Sequence, residues 1–355
     1  MERTAVLRAG LGAAAELLHP DHSALAKAVL NPAVDEDFLE MVQELRTALV
    51  GLVGAAEAQA LQAALDALRV DWARLTPAAR DRAVLAAQAA LATPAVDWPR
   101  LQDRLEVEGR VVMGGMRRHV KRTFGLDVAV DLSAVDKRVA AHAAASQAVY
   151  VRDHYGQRAA VAGARARQII AEGVDRGLGR QELARQLAQA VELAQLGRTP
   201  AYFQVVAASA VSRARSYASL SSYAEGGVTE YEFLSVLDEV TSLPCRFLHG
   251  RRFSVAKGLR RFTDAAASDD PSALVTASPW LSTGRDASGT PQLYVKDASG
   301  ERQVVATVTA NAVGQRDQAG AFATTYTNQR LSDLGVSTPP LHGNCRSTLV
   351  PVTDI

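Results

Sequence analysis

Two of the chain's residues are cysteine, Cys245 and Cys345, and each has a histidine close by: His249 follows the first and His342 precedes the second. Together Cys-x3-His and His-x2-Cys supply two thiolates and two imidazoles, the ligand number and chemistry of a tetrahedral zinc site. Zinc there would staple stretches 100 positions apart into one small β unit. In the alternative, Cys345 packs as a small buried hydrophobe and His342 hydrogen-bonds a carbonyl near the Pro339-Pro340 pair. Asp238, closing a strand-like run, can accept N–H bonds from Val240 or Thr241 and hold the next loop. As a general base it has no nucleophile in view. Arg346, beside Cys345, is placed to pair with Asp238.

Two acid-free stretches carry a different chemistry. Gly109 to Arg122 holds five Lys/Arg, including Arg117, Arg118, Lys121 and Arg122, and Arg246 to Phe262 holds six, including Arg251 and Arg252. Such densities neutralise phosphates; equally, they form solvated faces and contact carbonyls at helix ends. No sequence-reading motif accompanies them, so any double-stranded DNA would be bound non-specifically. Glu230-Tyr-Glu232 has the Glu-x-Glu spacing of mono-ADP-ribosyltransferases, but alternating polar residues are ordinary on a strand face, and Ser219 to Ser222 before it reads as helix. His342-Gly-Asn344 has the beginning of a His-Asn-His nuclease motif, without the ββα element that should follow.

These residues need elements to hold them. Apolar residues make up 48% of the chain and aromatics 5%; much of the apolar share is alanine, which favours close-packed helices. The length suits two or three domains. No run approaches the roughly 20 apolar residues of a membrane span, and Met1-Glu2-Arg3 does not open a signal peptide; the expectation is a soluble protein made in the cytoplasm. The net charge of +1 divides unevenly, with 8 basic and 13 acidic residues over 1–99 and 16 against 10 over 100–185. Two cysteines in such a chain point to thiols or ligands rather than a disulfide framework.

Helical periodicity runs from Leu7 to about Leu91, with Leu39, Val42, Leu45 and Leu49, then Leu61, Leu65 and Leu68, on shared faces. Asp97-Trp98-Pro99 breaks it. Leu101 to Arg122 and Ser133 to Glu172 follow as helices, the second capped by Ser133; Gly177-Leu178-Gly179 turns into Arg180 to Leu193. Thr199 and Pro200 open another helix that Gly226-Gly227 ends. Thr229 to Asp238 reads as a strand, Cys245 sits in a turn, and a short strand lies around Arg252 to Val255. Strand-like runs at Gln292 to Lys296 and Gln303 to Thr309 belong to a loop-and-hairpin insertion that should tolerate trimming, and Arg346 to Val352 is a last strand. No internal repeat is evident. The regions are 1–96 and 97–198, both helical, an α+β module from 199–262 and 338–355, and the insertion 263–337.

This order of elements, with Asp238, Thr241, Cys245 and Gly250 followed far downstream by Pro339-Pro340-Leu-His342-Gly-Asn-Cys345-Arg346, resembles the C-terminal region of the phage head morphogenesis family, the minor head proteins of tailed phages of the phage Mu F-protein type. The resemblance spans Thr199 to Val352 with one long interruption. It implies a mainly α protein with a small α+β C-terminal module, and a non-enzymatic structural role. Such a protein works in the host cytoplasm during assembly and in the virion interior near the portal, with portal, capsid or scaffold proteins and packaged DNA as partners. Some head proteins of this kind are fused to ADP-ribosyltransferases, so a capsid-carried enzyme or effector is the other class. Many relatives have Cys-x-x-Cys where this chain has Ser242-Leu-Pro-Cys245, and Cys-Arg-Cys where it has Cys345-Arg346-Ser347.

Overall fold

The computed structural model describes residues 32–353 except 177, 179, 196–198 and 298. The expected helical start at 7–31, the first three residues and both glycines of the Gly177-Leu178-Gly179 turn lie outside the described residues. The chain is mainly α with a small α+β C-terminal region. The long helices are α1 (Pro32–Leu68), α2 (Pro77–Ala92), α3 (Trp98–Phe124), α4 (Ala134–Asp175), α5 (Arg180–Gln195) and α6 (Thr199–Glu225). Local chemistry starts several of them. Thr76 accepts from Ala79 N ahead of Pro77, and Asp97 Oδ1 accepts from Arg100 N at 3.1 Å. Ser133 and Asp136 exchange side-chain-to-N–H bonds of 3.1 and 2.7 Å, a reciprocal cap that satisfies two otherwise orphaned donors.

The residues form two compact units, each discontinuous in sequence. One comprises Glu44–Arg104 and Gln147–Val206. Its core sets Leu68, Trp72, Val84 and Leu91 against Ala159, Ala162, Ala166, Ile169, Leu183 and Leu187. Small side chains bring the helices close: a Cβ on Gly163 would lie 1.9 Å from Gln88 Nε2. Contrary to the sequence expectation, Phe38–Leu68 within α1 is long and apolar enough to cross a membrane by length and composition. Its hydropathy comes mainly from leucines and valines, with alanine, but glycine, glutamine and Glu57 are interspersed, so no unbroken run announces it. A mostly buried core helix meets the same criterion; here Leu45, Leu49, Val53, Ala64 and Leu68 are buried, and 28% of the apolar window is.

The other unit holds Leu105–Ser146, Ala207–Ile355 and the residues up to Gln43. After α6 the chain forms β1 (Glu230–Leu234), α7 (Leu243–Leu248), β2 (Arg252–Ser254), α8 (Val255–Ala265) and α9 (Ala273–Ala277), then β3 (Ser282–Arg285), β4 (Pro291–Lys296), β5 (Arg302–Ala310) and β6 (Ala321–Ala323), and finally α10 (Asn328–Asp333) and β7 (Thr348–Val352). A three-stranded antiparallel sheet runs β2-β1-β7. In it Phe233 faces Leu349 and Tyr231 faces Pro351; a proline is tolerated because β7 is an edge strand. Gly258 of α8 lets that helix approach the sheet and α6, since a Cβ there would come within 3.0 Å of Leu220 and 3.2 Å of Tyr231.

Two local expectations change. The strand ends at Leu234 rather than Asp238, and the Cys245 segment is the helix α7 rather than a turn; Pro244 fits its first turn, where no N–H is needed. The insertion is built of consecutive hairpins, as expected. It is a four-stranded antiparallel sheet, β3-β4-β5-β6, with two turns built by one repeated sequence, Asp-Ala-Ser-Gly at 286–289 and 297–300. Each aspartate accepts from N–H groups two and four residues on, all at 2.9 Å. The insertion is bound to the module: Asp317 N donates to Leu237 O at 2.8 Å, Leu281 N to Leu341 O at 3.0 Å, and Phe322 packs edge-on against Phe247. Free trimming within 278–317 is therefore not expected.

Candidate metal centre

Both halves of the sequence motif meet in the second unit. The Sγ atoms of Cys245 and Cys345 are 3.6 Å apart, and Cys245 Sγ is 3.1 Å from His342 Nε2. Both cysteines are buried free thiols; His342 is half-buried. Helix α7 presents Cys245. The tight Leu341–Cys345 turn, with Asn344 in the left-handed region at φ 59, presents the other two. Asparagine tolerates that conformation better than most residues. The chain reaches this turn without helical character, through a cis Pro339-Pro340 bond.

The second nitrogen of His342 fixes its role. Nδ1 lies 2.6 Å from Gly343 O, so the proton belongs on Nδ1 in the neutral ring and Nε2 is left as a lone pair facing the sulfurs, an arrangement typical of histidine ligands. With bonds of about 2.3 Å to sulfur and 2.0–2.1 Å to nitrogen, tetrahedral zinc separates S from S by about 3.8 Å and S from N by about 3.5 Å. The observed spacings need to open by only a few tenths of an ångström. Cys245, His342 and Cys345 thus form a cluster that could hold a metal ion.

Electrostatics within the cluster divide the two sulfurs. Contact with Cys345, then burial, holds the Cys245 thiol well above the usual range, while Cys345 is held well below it because Cys245 donates to it and His342 stands alongside. Burial alone would lower His342; the bond and charge of Cys345 outweigh it and raise its pKa. The pair therefore loses its first proton readily and its second reluctantly.

His249 is not the fourth ligand expected from its spacing. Its Nδ1 accepts the Ser235 N–H at 3.1 Å, and burial lowers its pKa to about 4, so it is a neutral structural acceptor. The C-terminal end of α7 turns it toward β1; Gly250, at φ 77, completes that turn by donating to Phe233 O at 2.9 Å. The hydroxyls of Ser242 and Ser347 reach the Cys245 sulfur instead. Ser242 stands at the N-cap of α7 but makes no capping bond; its Oγ lies 2.7 Å from His342 Nε2.

Around the cluster the remaining motif residues act as braces. Arg346 Nη2 donates to Asp238 Oδ1 at 2.7 Å, and Asp238 accepts from Thr241 Oγ1 at 2.7 Å and Val240 N at 3.2 Å. Burial pushes the Asp238 pKa up, but these bonds outweigh it and hold the carboxyl below its usual value. Sequence reasoning missed Arg246, counted there among surface cations. It is 1% exposed and donates to Thr241 O at 3.0 Å, Asp238 O at 2.5 Å, Gln315 O at 2.7 Å and Gln318 O. The signal in the sequence is its place inside the otherwise apolar run Leu243-Pro-Cys-Arg246-Phe-Leu248, all of which is buried.

The basic clusters separate on inspection. Arg117 is buried, with bonds to Ala129 O at 2.7 Å, Ser221 Oγ at 3.0 Å and Glu225, so it is not a phosphate ligand. Arg118, Lys121 and Arg122 are exposed. In the second cluster Arg251 stacks 4.4 Å over Phe247 and bonds Asn328, and Arg252 pairs with Glu232 at 3.3 Å. Lys257 pairs with Asp333 at 3.0 Å, and Arg261 donates to Ala277 O at 2.8 Å. Arg251 and Arg252 are thus held by neighbouring elements rather than presented as a phosphate-binding strip. No family model, curated protein or solved structure matches the chain.

Proposed function

We propose that the chain is a minor structural protein of a phage or prophage head, and that its C-terminal module is stapled by zinc at Cys245, His342 and Cys345. The observation that carries this reading is the meeting of the two motif halves, sulfur to sulfur at 3.6 Å and Arg346 to Asp238 at 2.7 Å, although a long insertion separates them. A site so buried and so braced suits holding a fold together better than turning over a substrate. Two thiolates and an imidazole are zinc ligands by type, and a structural site must be closed in its fourth position, for which the Ser242 hydroxyl, 2.7 Å from His342 Nε2, is the nearby protein group. Portal, capsid or scaffold proteins and packaged double-stranded DNA are its partners, no membrane is involved, and its places are the host cytoplasm during assembly and the virion interior. A tagged copy should co-purify with portal and capsid proteins from assembling particles. Failure to do so, together with a transferase or nuclease activity of the purified chain, would favour a capsid-carried enzyme instead.

The zinc part has its own test. Chain purified under reducing, chelator-free conditions should carry about one zinc, Cys345→Ser should release it, and Ser242→Cys should tighten binding by adding a third thiolate. Wild type without metal by elemental analysis would end this part of the reading. For DNA, the exposed Arg118, Lys121 and Arg122 are the residues to change. Replacing all three by Gln should weaken binding equally on unrelated sequences and reduce the salt slope by roughly 0.9 per lost phosphate contact. Unchanged binding would assign the patch to another partner.

A further inference from the structure

Cys245 and Cys345 are the chain's whole complement of cysteine. Both are free and buried, and their sulfurs are in van der Waals contact at 3.6 Å. Closing a disulfide requires an approach to about 2.05 Å, a movement of roughly 1.5 Å that small side-chain rotations and a slight shift of the Leu341–Cys345 turn can share. No third cysteine competes for either partner. The turn that would move ends in ordinary loop backbone rather than in a helix or strand, from Arg346 to Ser347.

We propose that Cys245 and Cys345 form a reversible dithiol–disulfide site, and that the disulfide and a bound metal are mutually exclusive states of the same two sulfurs. The disulfide rests on the geometry alone; the exclusivity rests on the zinc reading. The oxidant is a hydroperoxide. One sulfur, as thiolate, attacks the O–O bond and becomes a sulfenic acid while water or an alcohol leaves. The second sulfur then displaces water from that sulfenic acid, forming the S–S bond. In total two thiols give up two protons and two electrons, and with hydrogen peroxide both oxygens end as water. A dithiol reductant reverses the bond by exchange. The oxidised form would tie α7 to the terminal turn covalently across the whole insertion, keeping the module closed where metal is scarce or peroxide abundant.

Hydrogen peroxide added in slight excess to the full-length wild type, with and without prior chelation, tests both statements. The chelated monomer should lose both titratable thiols, lose about 2 Da, yield one peptide pair linking Cys245 to Cys345, and regain both thiols with dithiothreitol. The zinc-loaded protein should react at least tenfold more slowly. Retention of both thiols after chelation, disulfide-linked dimers, or sulfinic acid as the main product would each overturn the disulfide. Equal rates with and without zinc would overturn the exclusivity alone. Failure of the purified chain to bind zinc would sink the zinc reading and the exclusivity, and leave the disulfide standing on the chelated-sample result. Cys245→Ser provides the control: its remaining thiol should give no loss of 2 Da in the monomer.

Discussion

A chain truncated before Pro339 is expected to lose its C-terminal module, becoming insoluble or rapidly cleaved between residues 207 and 338. Removing β7 strips the edge partner of β1 along all five of its residues and exposes the side on which Tyr231 and Phe233 are now fully buried. Leu341, Leu349 and Val350 leave with it. At about 1.5–3 kcal/mol per buried side chain, these three alone are worth roughly 5–9 kcal/mol, comparable with the whole stability of a domain. The polar cost is added to that. Tyr223 OH loses Leu349 O, Ser216 Oγ loses Pro339 O, and Leu281 N loses Leu341 O. Limited proteolysis with mass mapping reads the outcome. A soluble truncated chain with a wild-type melting curve would show that β7 is dispensable and that the paired motif is not what closes the module.

The second large effect is expected at Arg246. Arg246→Met keeps much of the side-chain volume but removes a donor from two buried carbonyls, Thr241 and Asp238, the second of which keeps the Thr241 N–H, and from the part-buried carbonyls of Gln315 and Gln318. Unmet buried acceptors cost about 1–3 kcal/mol each before relaxation, so a loss of roughly 3–5 kcal/mol is expected, as when other buried charge networks are broken. Arg246→Lys should restore little, because one ammonium cannot span carbonyls that a planar fork reaches together. Denaturant unfolding of the two variants measures this. A variant within about 0.5 kcal/mol of wild type, the range of ordinary surface substitutions, would mean that the guanidinium is not the tie between the insertion and α7. The same bonds explain why cutting into residues 312–318 should damage the module although that segment is irregular in structure.

Much of this protein is local in origin and so legible in the sequence. Thr76-Pro77, Asp97 and the Ser133 to Asp136 pair start helices with side chains that neighbour the N–H groups they satisfy, and the alternation of Glu230 to Leu234 marks a half-buried strand. The Asp238 turn and its Arg346 partner were also readable, as were Cys245, His342 and Cys345, because their spacing carries ligand chemistry whatever the intervening chain does. What the sequence left open depends on where distant segments come to rest. Arg117, Arg118 and Arg246 are the same side chain in similar acid-free stretches, yet Glu225 and Ser221 surround the first, solvent the second, and carbonyls from the module and from the insertion the third. His249 has the spacing of a ligand but is claimed by Ser235, just after β1. Ser242 has the position of a helix cap but is drawn to His342, 100 residues away. In each case the residue's local preference is worth about 1 kcal/mol, and the partner that tertiary packing places within hydrogen-bond reach decides which way it is spent.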